Sequence, residues 1–278
     1  MYATPKVIYQ DNDILVLDKP SGWIVNEVIT KQNTPTLQNW LRRNFDYPLA
    51  NSAEYRSGIV HRLDKETSGV LLVAKNKEAF ENLQTQFKNR KVAKTYTALV
   101  HGEVDPKEGD VKVTVGRLPW NRERFGVLPG GREAVTGYKV RSYFGMRTED
   151  GSQKSENEGR RRKSEVGLQN SDLKLLNQSS NFNPQTSYTL LELFPKTGRT
   201  HQIRIHLKHL GYPVVSDEFY AGRKTARSDR KWCPRLFLHA AKITISHPKT
   251  KKSVSFASAL PRELSNVLAS LEKLPQTP

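Results

Sequence analysis

"GIVHRLDKETSGVLLVAKN", residues 58–76, joins a polar cluster to an apolar run. His61, Arg62, Asp64, Lys65 and Glu66 fall within six positions, and Val70 to Ala74 follow almost at once. A short unbroken apolar run flanked by Gly69 and Asn76 predicts a buried strand. The polar cluster then stands at the strand's entry, where two readings compete. In the plainer one, Asp64 and Thr67 or Ser68 satisfy the amides of a turn and the other charges face water. In the sharper one, Asp64 is a reactive carboxylate held on a rigid edge.

Outward from this strand the pattern is of short strands: Val7 to Tyr9, Ile14 to Asp18, Val70 to Lys75, Tyr96 to Val100, Val111 to Val115, Val135 to Tyr143, Tyr188 to Phe194, Lys242 to Ser246 and Ser253 to Ala257. Helices are fewer. Leu37, Trp40, Leu41 and Phe45 recur at helical spacing, as do Ala79, Phe80, Leu83 and Phe87. A third helix is expected from about His201 to Leu210 with Gly211 as its stop, and a fourth carries Leu264, Val267, Leu268, Leu271 and Leu274 after Pro261. Strands outnumber helices without alternating with them, so the expected class is α+β, with a mixed and largely antiparallel sheet. Residues 1–278 are expected to form one domain. Residues 145–187, rich in Ser, Asn, Gln and Gly and containing the run Arg160 to Lys163, read as a disordered insertion between two strands, with Leu173, Leu175 and Leu176 forming at most a transient turn of helix.

Charge narrows the class of partner. The 45 Lys and Arg against 28 Asp and Glu give +17. Residues 145–187 hold 7 basic and 6 acidic residues, so the excess belongs to the folded parts. A structured basic surface of this size fits the phosphates of a nucleic acid, and no basic amphipathic helix supports a membrane surface instead. The single cysteine, Cys233, excludes a disulfide framework and a thiolate cluster. Without a leader pattern or a long apolar run, the cytoplasm is the expected location.

Four polar segments interrupt apolar patterns: "HRLDKETSG" at 61–69, "KTYTALVHG" at 94–102, "KTGRTHQIRIH" at 196–206 and "FLHAAKI" at 237–243. They contain no phosphate loop, dinucleotide fingerprint or serine elbow. His201, His206 and His209 lack an acidic third ligand and only the last two share a helical face, so no metal is expected. Lys196, Arg199 and Arg204 flank the start of the third helix, where free amides favour an anion, either a phosphate or a carboxylate such as Asp64. Spacing does not choose between them.

The ordered set "HRLDKETSGVLLVAKN", "KTYTALVHG", "GREAVTGYKV" and "KTGRTHQIRIHL", supported by "LDKPSG" at 17–22 and "RLFLHAAKITISHP" at 235–248, resembles the RluA-type pseudouridine synthases. The resemblance runs from about Ile14 onward and excludes the insertion. It implies the pseudouridine synthase fold with a central basic cleft, lacking the small amino-terminal RNA-binding domain of many relatives. It implies further that Asp64 is the catalytic aspartate, Tyr96 the tyrosine packed against the target base and Arg199 the arginine paired with the aspartate. Arg62 would fill the space left by an extruded nucleotide, with His61 and Ile203 completing the substrate-binding wall. The pattern "GDxxYG" expected after the third segment is present as "SDEFYAG", residues 216–222, which lacks the first glycine.

The implied reaction turns uridine into pseudouridine in structured RNA, ribosomal or transfer. It exchanges a bond from ring nitrogen to ribose for one from ring carbon to ribose. Nothing is gained or lost, so no cofactor is expected. A carboxylate suits an electron-poor sugar carbon, and flipping the base costs a few kcal/mol. Phosphates flanking the target would be held by Arg42, Arg43, Lys88, Arg90, Lys91 and the loop from Arg223 and Lys224 to Lys231. No membrane and no obligate protein partner is expected. The competing readings are an inactive RNA-binding protein on the same scaffold, and a metal-dependent nuclease, which would need an acidic cluster the sequence lacks.

Overall fold

The architecture is seen in a computed structural model, which describes residues 3–27, 36–119, 121–147 and 187–275. The expected run "LLVA" lies in β3, Ser68–Ala74, whose seven residues are all buried. It pairs antiparallel with β2, Ile14–Lys19, which in turn pairs with β1, Lys6–Gln10. Because successive strand residues point to opposite faces, β2 and β3 feed two cores at once. Leu15, Leu17, Leu71 and Val73 meet Leu37 and Leu41 of α1, Leu37–Asn44, on one face. Ile14, Val16, Val70, Leu72 and Ala74 meet Ala79 and Leu83 of α2, Lys77–Lys88, on the other. Both helices start where the sequence offers a cap. Thr36 accepts from the amide of Asn39, and Asn76 accepts from that of Ala79. Leu41 and Leu83 are fully buried, which contributes about 1.5–3 kcal/mol each.

The second half of the sheet is built from β4, Ala93–His101; β5, Glu108–Leu118; β6, Asn121–Val127; β7, Arg132–Met146; β8, Ser187–Pro195; and β9, Leu238–Ser246. The order across the sheet is β1-β2-β3-β9-β4-β8-β7-β5-β6. β10, Ser253–Ala257, adds to β9, and β11, Leu271–Lys273, adds to β7. Every pairing between these strands is antiparallel except one, the short parallel contact of β3 with β9 through Ser68 and Gly69. That seam needs Gly69. Its φ is +117°, and a Cβ there would stand 2.2 Å from the carbonyl oxygen of Ala240. The core of this half gathers Leu99, Leu191 and Leu193 with α3, Gln202–His209, and α5, Arg262–Ser270. The α+β class with a mixed, mostly antiparallel sheet is as expected.

Three elements depart from the sequence reading. The segment read as a loop at Arg223 to Lys231 forms α4, Arg223–Asp229, which buries only Ala226 and Asp229 and so carries no apolar stripe. The fourth helix ends at Ser270, and Leu271 turns into β11 against Met146. β6 is a charged edge strand, "NRERFGV", with no alternation to reveal it. The third helix stops as expected, with Gly211 at φ +90°. The insertion read at 145–187 has its ends inside β7 and β8; residues 148–186, including the turn at Leu173, Leu175 and Leu176, lie outside the described residues.

Candidate active site

The polar cluster of residues 61–66 leaves Arg62 and Lys65 exposed and ties its other polar members into the fold. His61 accepts the amide of Leu72 on Nε2 at 2.9 Å and stacks on Phe87 of α2 at 5.0 Å. That bond fixes the tautomer with the proton on Nδ1, and burial, with the charge of Lys94 adding to it, pushes its pKa down to about 3. His61 is thus a staple between the loop and the strand. Glu66 pairs with Arg230 at 3.0 Å. Lys19 is fully buried below the loop and donates to the carbonyls of Pro20, Trp23 and Lys65 at 2.9, 3.1 and 3.2 Å. Its burial brings its pKa down to about 7, against the opposing pull of the Asp64 charge. The peptide after Asp64 is held in this way, and the backbone turn is closed by the amide of Thr67 donating to the Asp64 carbonyl.

Asp64 stands on the wall of a cavity of about 640 Å³ with its side chain 19% exposed. The cation beside it is Arg204, not Arg199. Arg204 Nη1 lies 3.5 Å from Asp64 Oδ2, while its Nε and Nη2 each donate at 2.7 Å to the two oxygens of Asp217. Asp217 is fully buried and its Oδ1 also accepts the amides of Phe219 and Tyr220. The planar fork is therefore clamped on one side and turned toward Asp64 on the other. Phe219 and Tyr220 lie under the guanidinium at 5.5 and 5.1 Å. Arg199 lines the cavity too, but its Nε donates to the carbonyl of Glu133 at 3.2 Å. The physical reason is the turn between them. The chain takes a left-handed step at His201, φ 53° and ψ 20°, to enter α3, and this carries residue 204 inward to Asp217 while Arg199 stays on the rim.

Tyr96 borders the cavity from β4, immediately after a register shift between Thr95 and Tyr96. Such bulges re-aim side chains next to functional sites. Its ring packs against the cores of both halves. Burial, and secondarily the charge of Asp64, pushes its hydroxyl pKa up. Ile203 and exposed Arg62 also line the cavity.

Of the cations expected to meet phosphate, Lys88 and Arg90 line the cavity and are exposed. Arg42 is tied to Glu27 at 3.0 Å. Arg43, Lys91, Arg223 and Lys224 are exposed but do not line it. Sequence reasoning passed over Lys94, whose Nζ donates to Thr197 O at 3.4 Å and whose pKa falls to about 8 on burial. It weighed His201 only as a metal ligand, and it left Arg204 unseparated from Arg199 and Lys196 as a partner of Asp64 until the resemblance favoured Arg199.

Among the described residues one group has metal-like spacing, Asp11, Asp13 and His247, far in sequence from Asp64. Asp11 there accepts from the amides of Asp13 and Ile14, from Tyr9 and from His247. Its lone pairs already serve the β1–β2 turn.

Residues 13–209 match the family described as RNA pseudouridylate synthase. An uncharacterized RNA pseudouridine synthase of Bacillus subtilis, YlyB, is 32% identical over 96% of this chain and 73% of its own length. The ribosomal large subunit pseudouridine synthase D of Pseudomonas aeruginosa is 31% identical over 96% of this chain and 72% of its own. Among solved structures, the human RNA pseudouridylate synthase domain containing 1 superposes with a TM-score of 0.66 at 25% identity, covering 99% of this chain and 91% of that one.

Proposed function

The chain belongs to the RNA pseudouridylate synthase family, whose members are isomerases acting on RNA, and from that premise we propose that Asp64 is its catalytic carboxylate and that the target uridine is turned out of its stack into the cavity beside it. The observation that carries this is the carboxylate's setting: partly exposed to the cavity, anchored through its own backbone, and faced by a buried arginine that a second, fully buried aspartate holds in place. A cation so placed balances the carboxylate's charge at the cavity wall and leaves its oxygens turned toward the space where the electron-poor sugar carbon of the ribose would lie. Tyr96 would offer an aromatic face for the flipped ring, and Arg62, exposed on the cavity wall, would fill the gap left in the RNA. Lys88 and Arg90, exposed on the cavity wall, are cations available to the flanking phosphates.

Relatives named as ribosomal large subunit synthases support ribosomal RNA as the substrate class. Mapping pseudouridine across total RNA with and without this gene tests it: loss of one or more sites in large-subunit RNA is expected, and loss confined to transfer RNA would redirect the substrate. For the chemistry, Asp64→Asn should retain folding and RNA binding while turnover on that RNA falls by at least about a thousandfold, since the nucleophile or base is removed outright. Turnover within tenfold of the parent would sink the role.

A further inference from the structure

We propose that His201 is a further catalytic residue of this site: the base that takes the proton from the uracil carbon that has just become bonded to the ribose. The inference rests on the isomerase reading above and adds a residue to it. The first observation is a proton count. Tyr220 Oη lies 3.2 Å from the carbonyl oxygen of Phe125 and 2.9 Å from His201 Nδ1. A carbonyl only accepts, so the single phenolic proton goes to Phe125, and His201 Nδ1 must carry a hydrogen that it donates to Tyr220. Nε2 of the neutral ring then bears the lone pair. That nitrogen faces the cavity wall 4.0 Å from Asp64 Oδ1, with the imidazole 18% exposed. The same relay holds whether Nε2 is empty or protonated, so the ring can take up and release a proton without moving.

The second observation is the backbone. His201 is in the left-handed region, φ 53°, at the entry to α3. A side chain with a Cβ pays for that conformation, and the surroundings hold it there: Phe125, Phe219 and Tyr220 box the ring at 6.2, 5.8 and 5.7 Å. The third is elimination among the groups lining the cavity. His61 Nε2 is occupied by the amide of Leu72. Arg62, Arg199 and Arg204 have no lone pair to offer. Lys94 is directed at Thr197 O, and the Tyr96 hydroxyl is pushed away from ionisation. The groups facing His201 are Asp64 and Asp217, which favour its cation, and Arg204 and Arg62, which oppose it; burial outweighs them and lowers its pKa, leaving it neutral at pH 7.

The step balances within the substrate. Once the ribose is joined to C5, that carbon still carries its hydrogen and the ring has a double bond between C6 and N1. The C5–H bond breaks with its proton going to His201 Nε2, the electron pair restores C5=C6, and the displaced pair settles on N1. N1 then takes a proton, returned by the imidazolium directly or through water. The imidazolium forms beside the Asp64 carboxylate, whose charge favours it.

The test is single-turnover conversion of a minimal RNA carrying either uridine or 5-deuterouridine at the target, at saturating enzyme. His201→Gln should slow conversion on the order of a hundredfold, with RNA affinity unchanged and with a primary deuterium effect that the parent does not show. Tyr220→Phe keeps the ring but removes the acceptor of Nδ1–H, and should show the same isotope signature with a smaller loss. It also carries the test if His201→Gln does not fold. A full rate in His201→Gln, or a slower rate with no isotope effect in either variant, overturns the proposal. Should Asp64→Asn prove active instead, it is the catalytic assignment of Asp64 that fails, independently of His201.

Discussion

The loop that carries Asp64 and the segment from Lys196 to Gly222 meet across one cavity, yet they are held by different means. On either side of the Asp64 carboxylate the loop is fixed by its flanks: Lys19 and Arg235 reach the carbonyls of Lys65 and Glu66, and the His61 side chain takes an amide of β3. The facing segment is fixed through side chains. Gln202 accepts from Thr197 and from the Arg199 amide and donates to Val135 and Thr136, and Asp217 clamps Arg204. Anchoring at the flanks leaves the Asp64 carboxylate itself uncommitted. Side-chain anchoring spends most of each group's hydrogen-bonding capacity on posture, so that Arg204 presents one nitrogen and His201 one lone pair to the cavity. The carboxylate proposed to react sits on the first kind of support, and the arginine and histidine that face it sit on the second.

The contrast is broken most severely at Arg204. Arg204→Met leaves Asp217 fully buried with two amide donors and no cation, and removing one partner of a buried pair costs about 3–5 kcal/mol. Urea unfolding should show a drop of that order, with conversion lost as well. A drop below about 1 kcal/mol would mean that the side-chain clamp is decorative.

A smaller effect of a different shape is expected at Lys19. Its folded pKa, about 7, lies below the ordinary lysine value. Between those two values the unfolded chain binds the proton and the folded chain does not, so stability rises with pH through that window. Lys19→Met lacks this dependence. The parent's advantage over the variant should therefore widen from about pH 7 toward pH 10, read as the difference between two urea midpoints. At pH 7 the variant also loses the three carbonyl contacts and with them the placing of Asp64, so conversion should fall while RNA affinity holds. A difference independent of pH would show that the loop is not gripped by a desolvated ammonium.

How far the sequence reached follows the same division. The apolar alternation and runs of Ile14 to Asp18, Val70 to Lys75 and Tyr96 to Val100 announce β2, β3 and β4, because burial on the sheet leaves a period that can be read. α4 and β6 have no such period, since one buries two residues and the other is a charged edge. Asp64 was legible for a related reason: a polar cluster that interrupts a buried strand is conspicuous. Arg204 was not separable from Arg199, because the choice depends on a left-handed turn at His201 and on Asp217, thirteen positions beyond Arg204. His201 itself was weighed only against its neighbours His206 and His209. His206 turns out to be buried with neither ring nitrogen bonded to any of the described residues, its pKa brought down to about 4 chiefly by burial.

Arg199 gives the smallest expected effect and the finest discrimination. Read from the sequence, Arg199→Lys should collapse turnover, since lysine cannot make the planar two-point clamp on Asp64. In the fold, Arg204 stands beside Asp64, and the Arg199 guanidinium makes one bond, to the Glu133 carbonyl on the rim. A lysine there keeps the positive charge for a passing phosphate and gives up only that bond, which contributes about 0.5–1.5 kcal/mol. Conversion at saturating RNA should then be unchanged, and the dissociation constant should weaken by no more than about tenfold, more visibly at low salt, where phosphate contacts count most. Measuring the two quantities side by side separates the cases. A collapse of the saturated rate with binding intact would mean that RNA draws Arg199 off the rim onto Asp64, and that the rim, like the segment behind it, is a side-chain support for the carboxylate rather than a grip for the substrate.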